Sequence, residues 1–174
     1  MTSRPTRITT PDRETRALFL LSAATPEEAL AVKGHLDRNR FVALIAWDAQ
    51  TASVGEISVL AEAMLGAGCV YFCCWGPDCE RVHDVIDEVY VGDRTSSAKD
   101  AGTVMTTWHA NVPLDEALWF TLNVAHPDHE FDEGAKTILA VSIGNHSWAS
   151  QIAAALADTA AFSERVLGKD ENAA

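Results

Sequence analysis

Five short apolar runs, each separated from the next by a stretch long enough for a helix, constrain this chain more than any other feature of its sequence. They read ALFLLSA (17–23), FVALIAWD (41–48), CVYFCCW (69–75), TVMTTWH (103–109) and TILAVSIG (137–144). Each is nearly continuous in apolar character, which is the mark of strands covered on both faces rather than of strands with one wet side. The intervening lengths allow a crossover helix after every strand. Such an alternation predicts an α/β fold, a single three-layer doubly wound domain built on a mostly parallel sheet of five or six strands, with Rossmann-like and flavodoxin-like orders both open.

Helix signals agree with this register. Thr25-Pro26-Glu27-Glu28 sets an N-cap Thr before a first-turn Pro and a Glu at the third helical position, and Ser53 with Glu56 repeats the capping-box spacing. Gly66 and Gly68 offer a left-handed close to the second helix. Near the C-terminus, Trp148, Ile152, Leu156, Thr159, Phe162 and Val166 recur at spacings of three and four, the apolar face of one last helix. DEVYVGD (87–93) could finish the third helix or form a short extra strand, and its Val-Tyr-Val core favours the strand. Residues 1–16 are expected to be a flexible arm, 17–167 the domain, and 168–174 (GKDENAA) a disordered tail.

At 174 residues with 48% hydrophobic content, the chain can build one core of ordinary size. No apolar run approaches the roughly 20 residues of a membrane span, and the N-terminus shows no signal-peptide core. A cytoplasmic protein without a membrane partner is expected. The formal charge is −12, and four of the thirteen cations (Arg4, Arg7, Arg13, Arg16) lie in the arm beside Asp12 and Glu14, so residues 17–174 carry −14. That balance opposes nucleic-acid binding, which needs clustered Lys and Arg, and suits a basic protein partner, although acidity also serves solubility alone.

In open parallel sheets, ligands sit outside the carboxyl ends of the strands. Those ends carry Trp47 and Asp48, then Trp75, Asp78 and Cys79, then Trp108 and His109, then Asn145, His146 and Trp148. Four of the five tryptophans thus fall on one edge. Two readings follow. In the functional one, Trp47, Asp48, Trp75, Asp78, Trp108, Asn145 and Trp148 line a crevice for a small polar ligand, and helix N-termini around it favour an anion. In the structural one, each Trp wedges a strand end against a helix and donates its indole N–H to a loop carbonyl.

All four cysteines lie within CVYFCCWGPDC (69–79). Cys69, Cys73 and Cys74 read as packing on a covered strand, with Cys73 and Cys74 on opposite faces and no disulfide expected. Cys79 differs, because a helix starting near Pro77 or Asp78 would put it in the first turn, where the dipole lowers a thiol pKa. His83, four residues on, would share its face and could pair with it. Asp78 opposes a thiolate, and no second ligand pair accompanies Cys79 and His83, so no metal and no cofactor are expected. Cys79, His109 and His146 are therefore the candidate catalytic residues.

Several signatures are missing: no GxGxxG follows the first strand, and GxxxxGK[ST], GxSxG and HExxH do not occur. A dinucleotide oxidoreductase, a P-loop nucleotidase, an α/β-hydrolase and a zincin are disfavoured. The strings CVYFCCWGPDCERVHD, TTWH, LDEALWF and IGN followed by Trp resemble a family of small bacterial proteins known as a domain of unknown function, over roughly residues 17–152. That resemblance implies a single α/β domain and carries no activity. The leading expectation is a binding protein that works through a Trp/His-lined edge. A Cys/His-dependent hydrolase or transferase and an acidic regulatory or toxin-neutralising protein are the alternatives.

Overall fold

The computed structural model describes residues 4–9, 16–32, 35–36, 40–93, 102–131 and 135–171, the side chains of 93 and 169–171 excepted. Six strands form one sheet: β1 (Thr6–Ile8), β2 (Ala17–Ala23), β3 (Phe41–Trp47), β4 (Cys69–Trp75), β5 (Met105–His109) and β6 (Thr137–Ile143). The order is β1-β2-β6-β3-β4-β5, with β1 antiparallel to β2 and all other pairs parallel. The helices are α1 (Pro26–Ala29), α2 (Val54–Ala67), α3 (Cys79–Asp93), α4 (Leu114–Asn123), α5 (His146–Ala157) and α6 (Thr159–Glu171). The last strand thus inserts between the first two parallel ones, a placement the sequence left open.

Burial explains why the apolar runs are strands. Every residue of β3 is buried; Phe41, Ala43, Ile45 and Trp47 pack under α1, α2 and α3, whereas Val42, Leu44 and Ala46 pack under α4, α5 and α6. Removing a large apolar side chain from water is worth about 1.5–3 kcal/mol, so a strand with two such faces is held centrally in the sheet. The result is the predicted three-layer, Rossmann-like α/β architecture. Among the described residues, no helix is long and apolar enough to cross a membrane.

Local signals set the helix ends. Ser53 accepts a hydrogen bond from Glu56 N at 3.2 Å while the Glu56 carboxylate accepts from Ser53 N at 2.8 Å, the expected capping box. Gly68, at φ 104°, closes α2, whereas Gly66 lies inside the helix. In β4 the pairing steps from Phe41–Cys69 to Val42–Tyr71, so Val70 is an extra residue. That bulge turns Cys69 to the same layer as Cys74, and Cys73 faces the other.

Four expectations are corrected. Residues 87–93 finish α3 and are not a strand; the sixth strand is β1, in the segment expected to be a loose arm. Three of that arm's residues pair with β2, because Ile8 packs on the layer holding α5 and α6. The rest of the arm, 1–3 and 10–15, lies outside the described residues. The anticipated single last helix is two, broken at Asp158, whose side chain accepts from Ala161 N at 3.0 Å and starts α6. Its apolar stripe runs on across the break, since Ile152, Leu156, Thr159, Phe162 and Val166 are all buried. Finally, α6 continues to Glu171, into the stretch read as a tail. Residues 172–174 lie outside the described residues.

Candidate functional site

The layers dictate where the carboxyl edge opens. β2, β3 and β4 send their following helices to one face, whereas β5 and β6 send theirs to the other. Neighbouring turns therefore part company between β4 and β5, and on both sides of β6. A crevice lies at each place, as expected where adjacent connections leave in opposite directions.

The first, of about 380 Å³, lies between the β4–α3 and β5–α4 turns and is lined by Trp75, Asp78, Cys79 and His109, with Glu80 and Asn111 on its walls. The second, of about 320 Å³, lies where β6 sits between β2 and β3, and is lined by Trp47, Asp48, Asn145 and Trp148. Eight of the ten residues singled out from sequence thus line two crevices, four in each. Trp75 and Trp148 meet edge to face across 4.9 Å, joining the walls of the two.

The β4–α3 turn has unusual backbone. Cys79 N donates to Gly76 O at 3.1 Å, with Pro77 second in the turn and Asp78 third at φ 65°, the pattern of a type II turn with Asp in the glycine position. Gly76 itself has φ 115°, and a Cβ built there would stand 2.4 Å from the Trp47 carbonyl oxygen. The turn lies over the end of β3 and is pinned there by Ala49 N donating to Pro77 O at 3.1 Å. Asn111, across the crevice, is a second non-glycine residue at positive φ, 63°.

Arg81 locks the same turn. Its guanidinium contacts the Asp78 carboxylate at 2.6 Å and donates to the carbonyls of Ala49 and Ala52. Asp78 is thus engaged in holding the turn. Asp48 is exposed and accepts from Gln50 N at 3.3 Å, and Asn145 caps α5 by accepting from Trp148 N at 3.1 Å. Among the described residues, no lysine or arginine lines either crevice. The helix ends expected from sequence to favour an anion have Asp48 and Glu80 nearby and the protein's own caps on them, with Asp78 paired to Arg81.

Cys79 is corrected as well. Its side chain is buried in the core under α3, and burial raises the thiol above its ordinary value even though backbone N–H groups favour the thiolate. The lost hydration outweighs the helix terminus. His83 does not join it: His83 points to the outer edge, against Trp108 at 4.6 Å, and its ring lies 3.0 Å from Asp84 and 3.5 Å from Asp87. Cys69, Cys73 and Cys74 are buried and their thiols are also pushed up by burial, Cys73 to about 11.

His109 is half-buried, tilted on Phe120 at 4.6 Å, with Nε2 3.1 Å from Thr107 Oγ1. Burial holds its imidazole below the ordinary value, so it is neutral at pH 7 and can give or accept one hydrogen bond. Two predicted residues fall outside the crevices. His146 is exposed on the first turn of α5, and Trp108 lies 48% exposed on edge strand β5. Trp75 meets the structural reading, since its indole donates to Val112 O at 2.8 Å. Sequence reasoning overlooked Arg81 and Asn111. The signal for both was the turn: Gly-Pro-Asp followed by a cation three residues on, and His-Ala-Asn-Val-Pro after a strand.

A larger cavity, about 720 Å³, lies at the opposite end of the sheet between the ends of α2 and α3. The Tyr90 hydroxyl on its wall donates to Gly102 O and accepts from Val104 N, tying the approach to β5.

By its layers and its divergent strand ends, the molecule is a Rossmann-like α/β protein with paired crevices at the carboxyl edge. Residues 19–159 match the family described as Domain of unknown function (DUF7684), and the chain belongs to that family. The matched stretch holds β3, β4, β5 and β6 whole and β2 from Phe19 onward. No curated protein matches the sequence. Among solved structures it is similar to UDP-N-acetylmuramoyl-L-alanyl-D-glutamate--2,6-diaminopimelate ligase, at 14% identity and a TM-score of 0.47, over 87% of this chain. The chain spans 31% of that ligase chain.

Proposed function

We propose that this protein binds a small polar ligand at the carboxyl edge of its sheet, with the crevice between β4 and β5 as the principal site. One observation carries the reading: Trp75, Asp78, Cys79 and His109, from two turns distant in sequence, line one cavity of about 380 Å³ where adjacent strands diverge. Cavities of about 300–1,000 Å³ lined by apolar walls and a few polar groups suit small molecules. Asp48 and Glu80 line the two crevices, Asp78 being paired with Arg81, and among the described residues neither lining includes a lysine or arginine. The ligand is accordingly neutral or cationic, and phosphorylated compounds are disfavoured. Cys79 contributes an apolar wall, because its thiol stays protonated near neutral pH.

The test uses protein labelled with 5-fluorotryptophan, whose five ¹⁹F resonances are assigned by single Trp→Phe substitutions. It is titrated with arginine, agmatine, glucose and adenosine monophosphate as probes. A neutral or cationic probe should move the Trp75 and Trp148 signals and leave Trp108 still, and His109→Ala should weaken it. Binding that moves Trp108 alone, that favours the nucleotide, or that survives His109→Ala in a folded protein would refute the proposal.

A further inference from the structure

The two edges of the sheet are built differently. β1 is three residues long, follows Pro5 and carries Arg7, all features that discourage a further strand from adding there. At the other edge, β5 (MTTWH) is five residues without a formal charge or a proline. It hydrogen-bonds to β4 on one side, and among the described residues no chain pairs with its other side. Met105 and Trp108 stand 40% and 48% exposed along it. An edge of this kind is a template for an extended segment.

The charge beside it identifies the class of segment. α3 packs along β5, with the Thr106 hydroxyl donating to Asp87 at 2.7 Å and the His83 ring against Trp108. Its sequence, CERVHDVIDEVYVGD, holds five carboxylates and one arginine, and that Arg81 is turned away to the β3–α2 loop. Glu80, Asp84 and Asp87 follow one stripe at spacings of four and three, with exposed Glu88 beside it. A strand added to β5 would run beneath this row.

We propose that β5 is a docking edge for an extended basic segment of a partner protein, which adds as a seventh strand. Main-chain pairing with β5 supplies the register; the segment's side chains alternate between faces, so its apolar set passes Met105 on one face while its Lys or Arg set lies beside Trp108 on the other, facing Asp84, Asp87 and Glu88. Self-pairing of two copies fits less well, because an antiparallel β5–β5 contact sets the two acidic α3 helices side by side on one face. The site is separate from the carboxyl-edge crevices, so either reading can fail without the other.

The experiment measures fluorescence anisotropy of the intact protein with a short dye-labelled peptide of alternating Lys and Val. Its controls are a Glu/Val peptide and two N-methylated Lys/Val peptides, each blocked along one edge. The proposal expects salt-sensitive binding of the Lys/Val peptide, none of the Glu/Val peptide, and loss with one N-methylated form but not the other. Trp108→Lys should weaken binding by roughly tenfold or more while the circular-dichroism spectrum stays that of the wild type. Asp84→Lys with Glu88→Lys should weaken it and flatten its salt dependence. Equal binding of both N-methylated peptides, no effect of Trp108→Lys, or no binding at millimolar peptide would overturn the proposal. A dimer in sedimentation equilibrium that Trp108→Lys dissolves would overturn it in favour of a second copy.

Discussion

Gly76→Ala tests how firmly the β4–α3 turn is seated. At φ 115° an L-residue pays about 1–2 kcal/mol for the left-handed half of backbone space. The new methyl would also lie 2.4 Å from the carbonyl oxygen of Trp47 and 3.0 Å from its carbon. Both atoms are backbone of a strand buried along its whole length, so the turn itself must retreat. Forcing extra volume into a packed position costs a further ~1–3 kcal/mol. Together these give about 3 kcal/mol, which for a chain of this size lowers Tm by roughly 6–12 °C. Urea unfolding should show a lower midpoint with an unchanged slope. Gly66→Ala is the control: it lies inside α2 with nothing within 4 Å of an added Cβ, and should stabilise by about 0.5–1 kcal/mol. If Gly76→Ala costs less than about 1 kcal/mol, the turn is not pinned on Trp47 and this account of the crevice wall is wrong.

The four buried thiols should make stability fall in alkali. Their folded pKa values are raised, so above the unfolded value of about 8.5 the unfolded chain releases protons that the folded chain keeps, and ΔG of unfolding drops toward the pH near 11 at which Cys73 ionises. Alkylation by iodoacetamide at pH 8 should be slow for all four until denaturant is added; one fast equivalent would contradict the buried Cys79. On the acid side, the lowered pKa of His109 makes the unfolded state bind the proton first, so stability declines as pH falls below about 6.5. His109→Gln should remove part of that slope in urea titrations between pH 5 and 7, and an unaltered slope would locate it elsewhere. Arg81→Lys should destabilise by about 1–3 kcal/mol, because one ammonium cannot serve Asp78 and the carbonyls of Ala49 and Ala52 together; a variant with wild-type Tm would show that the fork is dispensable.

The stretch CVYFCCWGPDC shows how far local pattern reaches. Its continuous apolarity foretold a strand covered on both faces, and buried Cys69, Cys73 and Cys74 follow from that. The Val70 bulge was not legible, because a bulge is a fact about pairing with β3. Likewise Cys79 stands at a helix start as expected, yet its burial depends on how α3 settles on the sheet. Trp108 stands one residue before the end of β5, opposite Cys74 and against His83, whereas His109, opposite Trp75, reaches the crevice; that register is set by pairing across the sheet. DEVYVGD was misread because Val and Tyr favour strands, while the seam between α2 and β5 had room for another helical turn.

By itself, then, the amino-acid order determined what neighbouring residues can settle among themselves: five strands, though β5 proved to be a half-exposed edge and not a covered one, the Ser53–Glu56 and Thr25 caps, and a Gly-Pro-Asp turn. Tertiary structure decided the insertion of β6 between β2 and β3, the layer each helix takes, and hence the points where the carboxyl edge opens. The reason is physical. Caps and periodicity act over three or four residues, whereas strand order is chosen by which long-range pairing buries the most apolar surface on both faces at once.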